Sequence, residues 1–496
     1  MKKIRGIDNR ILITFTVLFF AVVYAVRMFV NHPWYDELYT YYSFISKGPL
    51  YAAIHWPLPN NHVGYSVLSA CLGFLGSSTI ALRGVSALAA VANIYLIYRL
   101  GIRFFERYAC VAPIVYATTW LVHNISIQGR GYTLATTCYL AAVLSLCRIC
   151  DMKKCPKKYY WMFAASLCLA AYILPSSAFF IVPVCLAGGL YLLLNREFKT
   201  FWKLVIAGAV AGIIALGLYT VIWLAIGSNL LSKTEGSGYT GIYQIDIILR
   251  APFKAIGTGI DYMLASPYIQ SMERKDVIKG LYEYLSTLFN QYFSGLGGVI
   301  VAFLTVVGVW CVIRVIMRKD RFLELFLAVS IFALPIMLIV QAQQPYYRVF
   351  SYFAVVMALS VGLILNIFNV PKIIPNILAV FLLILIFLPS YNLPLGEREN
   401  QIKDMLSVME DRGELPASDK SVHYVDDYQK YVLKFYYDAE PCEKPMGEAD
   451  YVIVPDELNG VWPNLYDGDN FDFDVLNKNY TIIDSVEGYT AYKLNE

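Results

Sequence analysis

Long apolar runs, separated by short basic segments, recur along most of this chain. Several runs reach the roughly 20 residues that a helix needs to cross about 30 Å of hydrocarbon. Apolar residues make up 58% of the 496 positions, and charged residues only 16%. Inside lipid a backbone must satisfy its own hydrogen bonds, and helices do this within one segment. The sequence therefore predicts a mainly α, polytopic membrane protein.

The basic residues predict the topology, because loops rich in Lys and Arg tend to stay in the cytosol. Placing every basic cluster there gives about eleven crossings, with the N-terminus inside and the C-terminus outside. The first apolar run is retained as a span, since it is too long for a usual signal peptide. The clusters lie at 2–10, 99–107, 153–158, 196–199, 314–321 and Lys372. The predicted spans are 11–30, 80–98, 109–127, 132–149, 159–174, 178–194, 201–226, 296–316, 322–340, 349–368 and 373–388.

One apolar segment, 62–76, does not fit this count. A crossing there would move the cluster at 99–107 or the one at 153–158 to the outside. We therefore expect an interfacial helix in the outer leaflet, capped by Pro59-Asn60-Asn61. A strongly tilted crossing is the alternative.

The C-terminal part of the chain differs in charge from the rest. From Leu395 onward there are 23 acidic and 9 basic residues, a net charge of −14, whereas the preceding residues carry a net charge of +17. The sequence therefore predicts a transmembrane domain over 1–394, with outer loops at 31–79 and 228–295, and a soluble extracytoplasmic α/β domain over 395–496. Its predicted helices are 397–411 and 428–437, and its predicted strands are 421–425, 451–454, 481–484 and 489–494.

This topology brings polar segments together on the outer face. Asp36 and Glu37 follow the first span within a few residues. Ionised groups beside hydrocarbon are costly, so the pair indicates a site that handles charge or protons, with an ordinary solvated loop as the alternative. The loop 229–294 is far longer than a connection requires, and its apolar and aromatic residues favour surface helices.

The order of the outer motifs resembles the large C-type (GT-C) fold of polyprenyl-phosphate-sugar-dependent glycosyltransferases, above all the branch of protein O-mannosyltransferases and lipid A aminoarabinose transferases. That family has an Asp-Glu pair after the first span, a Pro-rich entry to an apolar helix, a Leu-Arg-x-x-Ser-Ala-Leu signature, a basic and aromatic turn, and two Arg/Tyr elements. The similarity covers about the first 200 residues in order and thins afterwards. The matching segments are 35–39, 58–65, 82–88, 99–105, 130–132 and 346–348.

The resemblance implies the transfer of a sugar from a polyprenyl phosphate or diphosphate to a hydroxyl acceptor, with inversion. Asp36 is the expected general base, a role worth about 10² to 10⁴ in rate. Glu37 is expected to assist, to position the acceptor, or to hold a divalent cation together with Asp36 if one is used. Pro-Asn-Asn-His at 59–62 departs from the Pro-Pro or Lys-Pro of many relatives, and no second acidic residue follows it, which bears on any inherited metal site.

Three arginines are candidates for binding the donor phosphate. Arg130 and Arg348 lie at outer span ends, against the positive-inside trend, and a guanidinium suits a developing phosphate charge. Arg348 could instead pair with an outer carboxylate or reach lipid headgroups. For Arg83, at the start of a span on the same face, an ion pair with Asp36 or Glu37 is an equal alternative.

Four further residues are candidate substrate contacts: His62, Asn61, Tyr132 and Tyr346. For His62 a capping or interfacial role is the alternative, since histidines without matched carboxylates make a poor metal-ligand set. For the tyrosines the alternative is the aromatic belt of a membrane interface, because the chain contains 39 of them.

The expected partners are the polyprenyl-phosphate-linked sugar donor, an envelope lipid, glycan or protein as acceptor, and membrane lipid. Nucleic acid is not expected, because the basic residues anchor cytosolic loops. We expect a multi-pass protein of a bacterial inner membrane with an extracytoplasmic active site. A lipid or glycan transporter (flippase) and a noncatalytic envelope scaffold are the competing classes. Transporters usually hold ionisable groups near midplane and show internal repeats, and this sequence shows no repeat.

Overall fold

A computed structural model describes most of the chain and divides it into two units by internal contacts. One unit comprises Met1–Met28 with Lys47–Asn392, and the other comprises Phe29–Ser46 with Leu393–Glu496. The described residues are 9–55, 61–151, 155–232, 245–264, 271–318, 321–391, 397–414, 421–424, 427–437, 446–455, 472–486 and 488–495.

The described part of the first unit is built from helices. Seven of them are long and apolar enough to cross a membrane: α1, α5, α8, α10, α11, α15 and α16. This confirms the predicted mainly α, multi-pass architecture. The helices are α1 (Asn9–Val30), α3 (Pro49–Ile54), α4 (Val63–Leu72), α5 (Ser78–Phe105), α6 (Val111–Ala117), α7 (Trp120–Ile125), α8 (Tyr132–Asp151), α9 (Lys157–Ile173), α10 (Ala178–Leu194), α11 (Phe198–Leu231), α12 (Ile245–Arg250), α13 (Pro252–Leu264), α14 (Arg274–Asn290), α15 (Gly297–Met317), α16 (Phe322–Gln341), α17 (Phe353–Ile367) and α18 (Ile373–Leu385).

Outside the seven clear spans, four of the predicted spans correspond to helices of at most 17 residues. The spans predicted at 159–174, 349–368 and 373–388 become α9, α17 and α18. The span predicted at 109–127 is divided into α6 and α7. Within the described residues, seven clear spans and several shorter helices thus lie at the predicted crossings.

The division between α6 and α7 has a local cause. The Thr118 hydroxyl donates to a carbonyl of α6, at 2.8 Å from the oxygen of Ile114. The backbone N–H groups of Trp120 and Leu121 donate to the carbonyls of Tyr292 and Gln291, each at 2.9 Å. Because these partners lie just beyond α14, the donors at the start of α7 are satisfied without a continuous helix.

The segment 62–76 forms α4, followed by a 3₁₀ turn over Gly73–Leu75. The helix is apolar but short, and its position at the membrane interface stays a prediction. His62 occupies the N-cap position, without a side-chain cap hydrogen bond. The predicted cap is wrong for Asn61, whose amide donates instead to the carbonyls of Ala52 and His55. Pro59 and Asn60 lie outside the described residues.

The described residues of the segment 229–294 form helices, as its composition predicts, and their place on the outer surface stays a prediction. Its described residues form α12, α13 and α14, besides the end of α11. The segments 233–244 and 265–270 lie outside the described residues.

The second unit is a small α/β domain. Its described strands form a four-stranded sheet in the order β1-β2-β4-β3, in which β1 and β2 are parallel and the other neighbours are antiparallel. The elements predicted from the sequence are therefore present, with ends that differ by a few residues. The sequence does not predict two further helices, α2 (Tyr35–Ser43) and α21 (Phe473–Asn479). The predicted elements are α19 (Glu397–Asp411), β1 (Val422–Tyr424), α20 (Asp427–Tyr437), β2 (Tyr451–Pro455), β3 (Tyr480–Val486) and β4 (Tyr489–Leu494).

The sheet of this domain is buried on both faces. Successive residues of β2 point to opposite sides, so Tyr451 and Ile453 join one core and Val452 and Val454 join another. The first core also contains Leu38 of α2, which follows the first span by only a few residues. Contacts therefore group 29–46 with the C-terminal residues, whereas the sequence assigns this segment to an outer loop of the membrane domain.

Candidate functional site

The first unit holds His62 and Arg130 against each other in its interior. Both side chains are 3% exposed. Nη2 of Arg130 lies 3.2 Å from Nε2 of His62, and the backbone N–H of Gly131 donates to Nδ1 of His62 at 2.8 Å. His62 directly precedes α4, and Arg130 lies two residues before α8, so two helix starts meet here.

The glycine at 131 makes this contact possible. A Cβ there would lie 2.6 Å from Cγ2 of Ile173 and 3.1 Å from Cβ of His62. Any side chain would therefore push the imidazole away from the start of α8.

The hydrogen bond from Gly131 assigns the protons of the imidazole. A backbone N–H can only donate, so Nδ1 accepts and a neutral ring carries its proton on Nε2. A guanidinium has no acceptor atom. Both Nε2 of His62 and Nη2 of Arg130 are thus donors, and their closeness suits an anionic oxygen that could accept from both.

The surroundings of His62 keep its ring neutral. Burial lowers the pKa of His62 well below its usual 6.5, and the positive charges of Arg130 and Arg348 lower it further. Two guanidinium charges thus act on one interior position, and the neutral His62 ring adds no third positive charge there.

Arg348 reaches this region through Tyr132, the first residue of α8. Nε of Arg348 donates to the Tyr132 hydroxyl at 3.0 Å, and the Tyr132 ring meets the His62 ring edge-on at 4.9 Å between centroids. The guanidinium of Arg348 also lies 4.8 Å from the centroid of the Tyr346 ring. The structure therefore brings together His62, Arg130, Tyr132, Tyr346 and Arg348, which we call the arginine cluster.

A cleft of about 210 Å³ lies beside Tyr132. It is lined by the first turns of α8, the turn between α9 and α10, and the segment around Arg348. The lining residues are Tyr132, Ala135, Thr136, Leu174, Ser176, Ser177, Phe180, Val349, Ser351 and Tyr352.

Sequence reasoning missed the residues that support the cluster from α5. The Ser86 hydroxyl donates to the carbonyl of Arg130 at 3.1 Å, and it lies 3.2 Å from the hydroxyl of Tyr65. Tyr65 in turn donates to the carbonyl of Leu82 at 2.5 Å. The glycine on each side of Arg130 is a signal for the close approach at Gly131. Ser86 belongs to the signature at 82–88, which does not by itself indicate its contact with Arg130.

Two other sequence candidates have structural partners in the same unit. Nη1 of Arg83 donates to the carbonyl of Met28 at 3.0 Å, in the last turn of α1. The Asn61 amide holds the chain ahead of α4, and its oxygen accepts from the Ser66 hydroxyl at 2.7 Å. Their roles with substrate stay predictions.

The two carboxylates of the predicted site lie in the second unit, at the start of α2. Glu37 is 1% exposed, and its Oε2 accepts from the backbone N–H of Trp34 at 2.9 Å. This hydrogen bond belongs to a capping box, which fixes the helix start. Asp36 is half-buried, and its carbonyl accepts from the Thr40 hydroxyl at 2.7 Å.

A metal site finds no ready ligand set. Among the residues that the structure describes, no three or more His, Cys, Asp or Glu side chains are grouped to hold an ion. Glu37 already serves its own helix cap. A divalent ion held by Asp36 and Glu37 stays a prediction, and we derive no step through one.

The long apolar helices define the class, a multi-pass membrane protein. The comparisons with known proteins give it a GT-C, glycosyltransferase-like fold. Residues 63–223 match the sequence model of the dolichyl-phosphate-mannose-protein mannosyltransferase family. The matched segment includes His62's helix α4, Arg130 and α8. The resemblance that the motifs predict is confirmed.

One solved structure supports this fold. The oligosaccharyltransferase of Archaeoglobus fulgidus is similar with a TM-score of 0.50 and 14% identity, over 88% of this chain and 68% of that chain. ArnT from Cupriavidus metallidurans is similar with a TM-score of 0.43 and 11% identity, over 97% of this chain and 98% of that one. A comparison with curated protein sequences finds no match.

Proposed function

We propose that this protein is a membrane glycosyltransferase that moves a sugar from a polyprenyl-phosphate donor to a hydroxyl acceptor on the extracytoplasmic face. The observation that carries the proposal is the arginine cluster. It combines two guanidinium groups, a neutral imidazole with its proton on Nε2, and a tyrosine hydroxyl in a mostly buried setting. The match to a mannosyltransferase family over 63–223 supports the same reaction class.

The cluster suits a lipid phosphate as the leaving group. As the sugar departs, negative charge grows on the phosphate oxygens, and donors fixed in advance stabilise it at little reorganisation cost. Arg130 and Arg348 supply charge, and His62 supplies a directed neutral donor. The start of α8 adds the positive end of a helix dipole beside Tyr132. Arg83 stays a secondary candidate, since it already donates to the end of α1.

Asp36 is the proposed general base. The acceptor oxygen attacks the anomeric carbon and its proton passes to the Asp36 carboxylate. The new C–O bond forms as the bond from that carbon to the phosphate oxygen breaks, and the electron pair leaves with the polyprenyl phosphate. Attack from the face opposite the leaving group inverts the anomeric centre. Glu37, held in its cap, would steady Asp36 rather than accept the proton itself.

The partners follow from this chemistry. The donor is a polyprenyl-phosphate-linked sugar that enters from the bilayer, and the acceptor is an envelope lipid, glycan or protein carrying a hydroxyl. Asn61 and Tyr346 are proposed to border the substrate, the latter beside Arg348. The protein is proposed to lie in a bacterial inner membrane, with the N-terminus in the cytosol and the site outside.

The test is transfer by the purified protein in detergent or nanodiscs. The probes are polyprenyl phosphates that carry radiolabelled mannose, glucose or an aminopentose, with an envelope extract as acceptor. We expect label to move into the extract, and Asp36→Asn to abolish transfer while the protein still folds and binds the donor.

The competing classes give different results in this assay. A flippase would move labelled lipid across a vesicle without transferring sugar, and Asp36→Asn would leave that movement intact. A scaffold would show neither activity. Full transfer by Asp36→Asn would overturn the assignment of the base, and no transfer from any donor would overturn the function.

A further inference from the structure

The helix that carries the acidic pair is built into the C-terminal domain. Leu38 of α2 is fully buried in the core formed by α19, α20 and one face of the sheet. The same core includes Met405, Leu406 and Tyr489. A residue from the connection after the first span thus completes a core whose other members come from the far end of the chain.

Aromatic contacts fix α2 against α20. The Tyr431 ring is stacked on Tyr42, with centroids 5.7 Å apart and planes 7° apart. It also lies 5.8 Å from Tyr35 and 6.2 Å from Tyr39. One residue of α20 therefore contacts three tyrosines along a single helix.

The helix depends on these contacts to exist. It has nine residues, fewer than the roughly 12 to 15 at which an isolated helix becomes even marginal in water. Its own capping box, formed by Glu37 and Trp34, secures only the first turn. Without the C-terminal domain, the backbone at Asp36 would have no fixed conformation.

We propose that the C-terminal domain positions the acidic pair for catalysis, by holding α2 through Leu38 and Tyr431. The inference rests on the proposed function, in which Asp36 is the base. Leu38 and Tyr431 are positioning residues, because they act through Asp36 and touch no reacting atom. Misplacement of a catalytic group by about 1 Å can cost about 10²-fold in rate, so a loosened α2 would lower kcat.

The test compares two identical truncations in the same domain. Leu38→Ala removes a side chain from the core that holds α2, and Leu476→Ala removes one from the core on the other face of the sheet. We expect Leu38→Ala to lower kcat about 10- to 100-fold with the KM for the labelled polyprenyl-phosphate donor unchanged. Leu476→Ala should keep kcat within about 2-fold, although both lower the stability of the domain.

Hydrogen exchange gives a readout that needs no substrate. The amides of 35–43 should lose protection in Leu38→Ala and keep it in Leu476→Ala, with α19 and β2 still protected in both. Tyr431→Ala should behave like Leu38→Ala, and Tyr431→Phe should restore kcat, because the stacking rings remain.

The outcomes separate this inference from the proposed function. Equal losses of kcat in Leu38→Ala and Leu476→Ala would overturn the inference. It would also be overturned if Leu38→Ala kept its kcat although the amides of α2 had lost their protection. If Asp36→Asn stays active in the same assay, the base assignment fails instead, whatever the positioning variants do.

Discussion

Arg130 is fixed at both its backbone and its side chain. Ser86 donates to its carbonyl, and its guanidinium lies against Nε2 of His62. That nitrogen carries the ring proton, because the N–H of Gly131 donates to Nδ1. The fork of a guanidinium can reach a phosphate oxygen and keep this geometry, whereas a lysine ammonium is a single point of charge on a flexible stem.

Arg130→Lys should therefore weaken donor use although the charge is kept. We expect the KM for the polyprenyl-phosphate donor to rise about 10- to 100-fold, corresponding to one or two lost charge-assisted hydrogen bonds. The measurement is steady-state transfer with labelled donor. Arg99→Lys, an exposed arginine in α5, is the matched control and should change nothing. Unchanged donor KM in Arg130→Lys would contradict the role of this side chain.

His62 should make the stability of the first unit depend on pH. Its folded pKa is lowered, so between that value and about 6.5 the unfolded chain binds a proton that the folded chain does not. Stability should fall as the pH drops below about 6.5, by up to about 1.4 kcal/mol per pH unit. Thermal unfolding in detergent at pH 7.5 and 5.5 should show a smaller difference for His62→Gln than for the wild type. The control His423→Gln, in β1, should leave the wild-type difference intact.

The chain just before α8 is packed too closely to accept a side chain at position 131. Its approach to α4 and α9 is set by Gly131, whose missing Cβ leaves room for His62 and Ile173. The N-terminal ends of α4 and α8 therefore lie together, and they bring His62 and Arg130 of the arginine cluster to one place.

Gly131→Ala should separate these helix starts. We expect a loss of transfer of at least about 10-fold, together with a lower thermal midpoint, because the nearest contacts of the new methyl would be shorter than van der Waals distance. Gly212→Ala in α11 is the matched control, since no atom lies within 4 Å of its added Cβ. There the substitution should be neutral or slightly stabilising. Equal behaviour of the two variants would count against the close contact.

Local sequence patterns predict helices and strands better than they predict which distant residues those elements contact. The strands β2 and β4 and the helices α19 and α20 follow from short apolar runs and helical periodicity, and the structure has them. The division of 109–127 into α6 and α7 was not predictable, because the groups that satisfy α7 come from Gln291 and Tyr292, far along the chain. The insertion of Leu38 into the C-terminal core likewise depends on a contact between distant residues.

For the whole molecule, the order of the motifs identifies the residues of the candidate site. It predicts only part of the chemistry of that site. Arg130, Tyr132 and Arg348 were predicted as outer span-end residues, and the structure joins them through hydrogen bonds and ring contacts. The tautomer of His62 could not be predicted, since it depends on a single backbone N–H. The convergence of Asp36 on the arginine cluster stays a prediction.

The topology can be tested on the intact protein. A C-terminal alkaline phosphatase fusion should be active and a C-terminal green fluorescent protein fusion dark in a bacterial host, because we expect the acidic domain outside the cytosol. Fusions after the basic cluster at 196–199 should give the reverse pattern. A fluorescent C-terminal fusion would place the acidic pair on the wrong side for an extracytoplasmic reaction.

The hydrogen bonds between α7 and the residues after α14 have a mechanical consequence. Trp120 and Leu121 have their donors satisfied by Tyr292 and Gln291, so displacement of one segment must either carry the other along or break both bonds. Since Arg130 follows α7 within five residues, any substrate that shifts the segment after α14 would move the Arg130 guanidinium with it. Amide exchange at Trp120 should therefore change in step with that of 286–292 when donor is added.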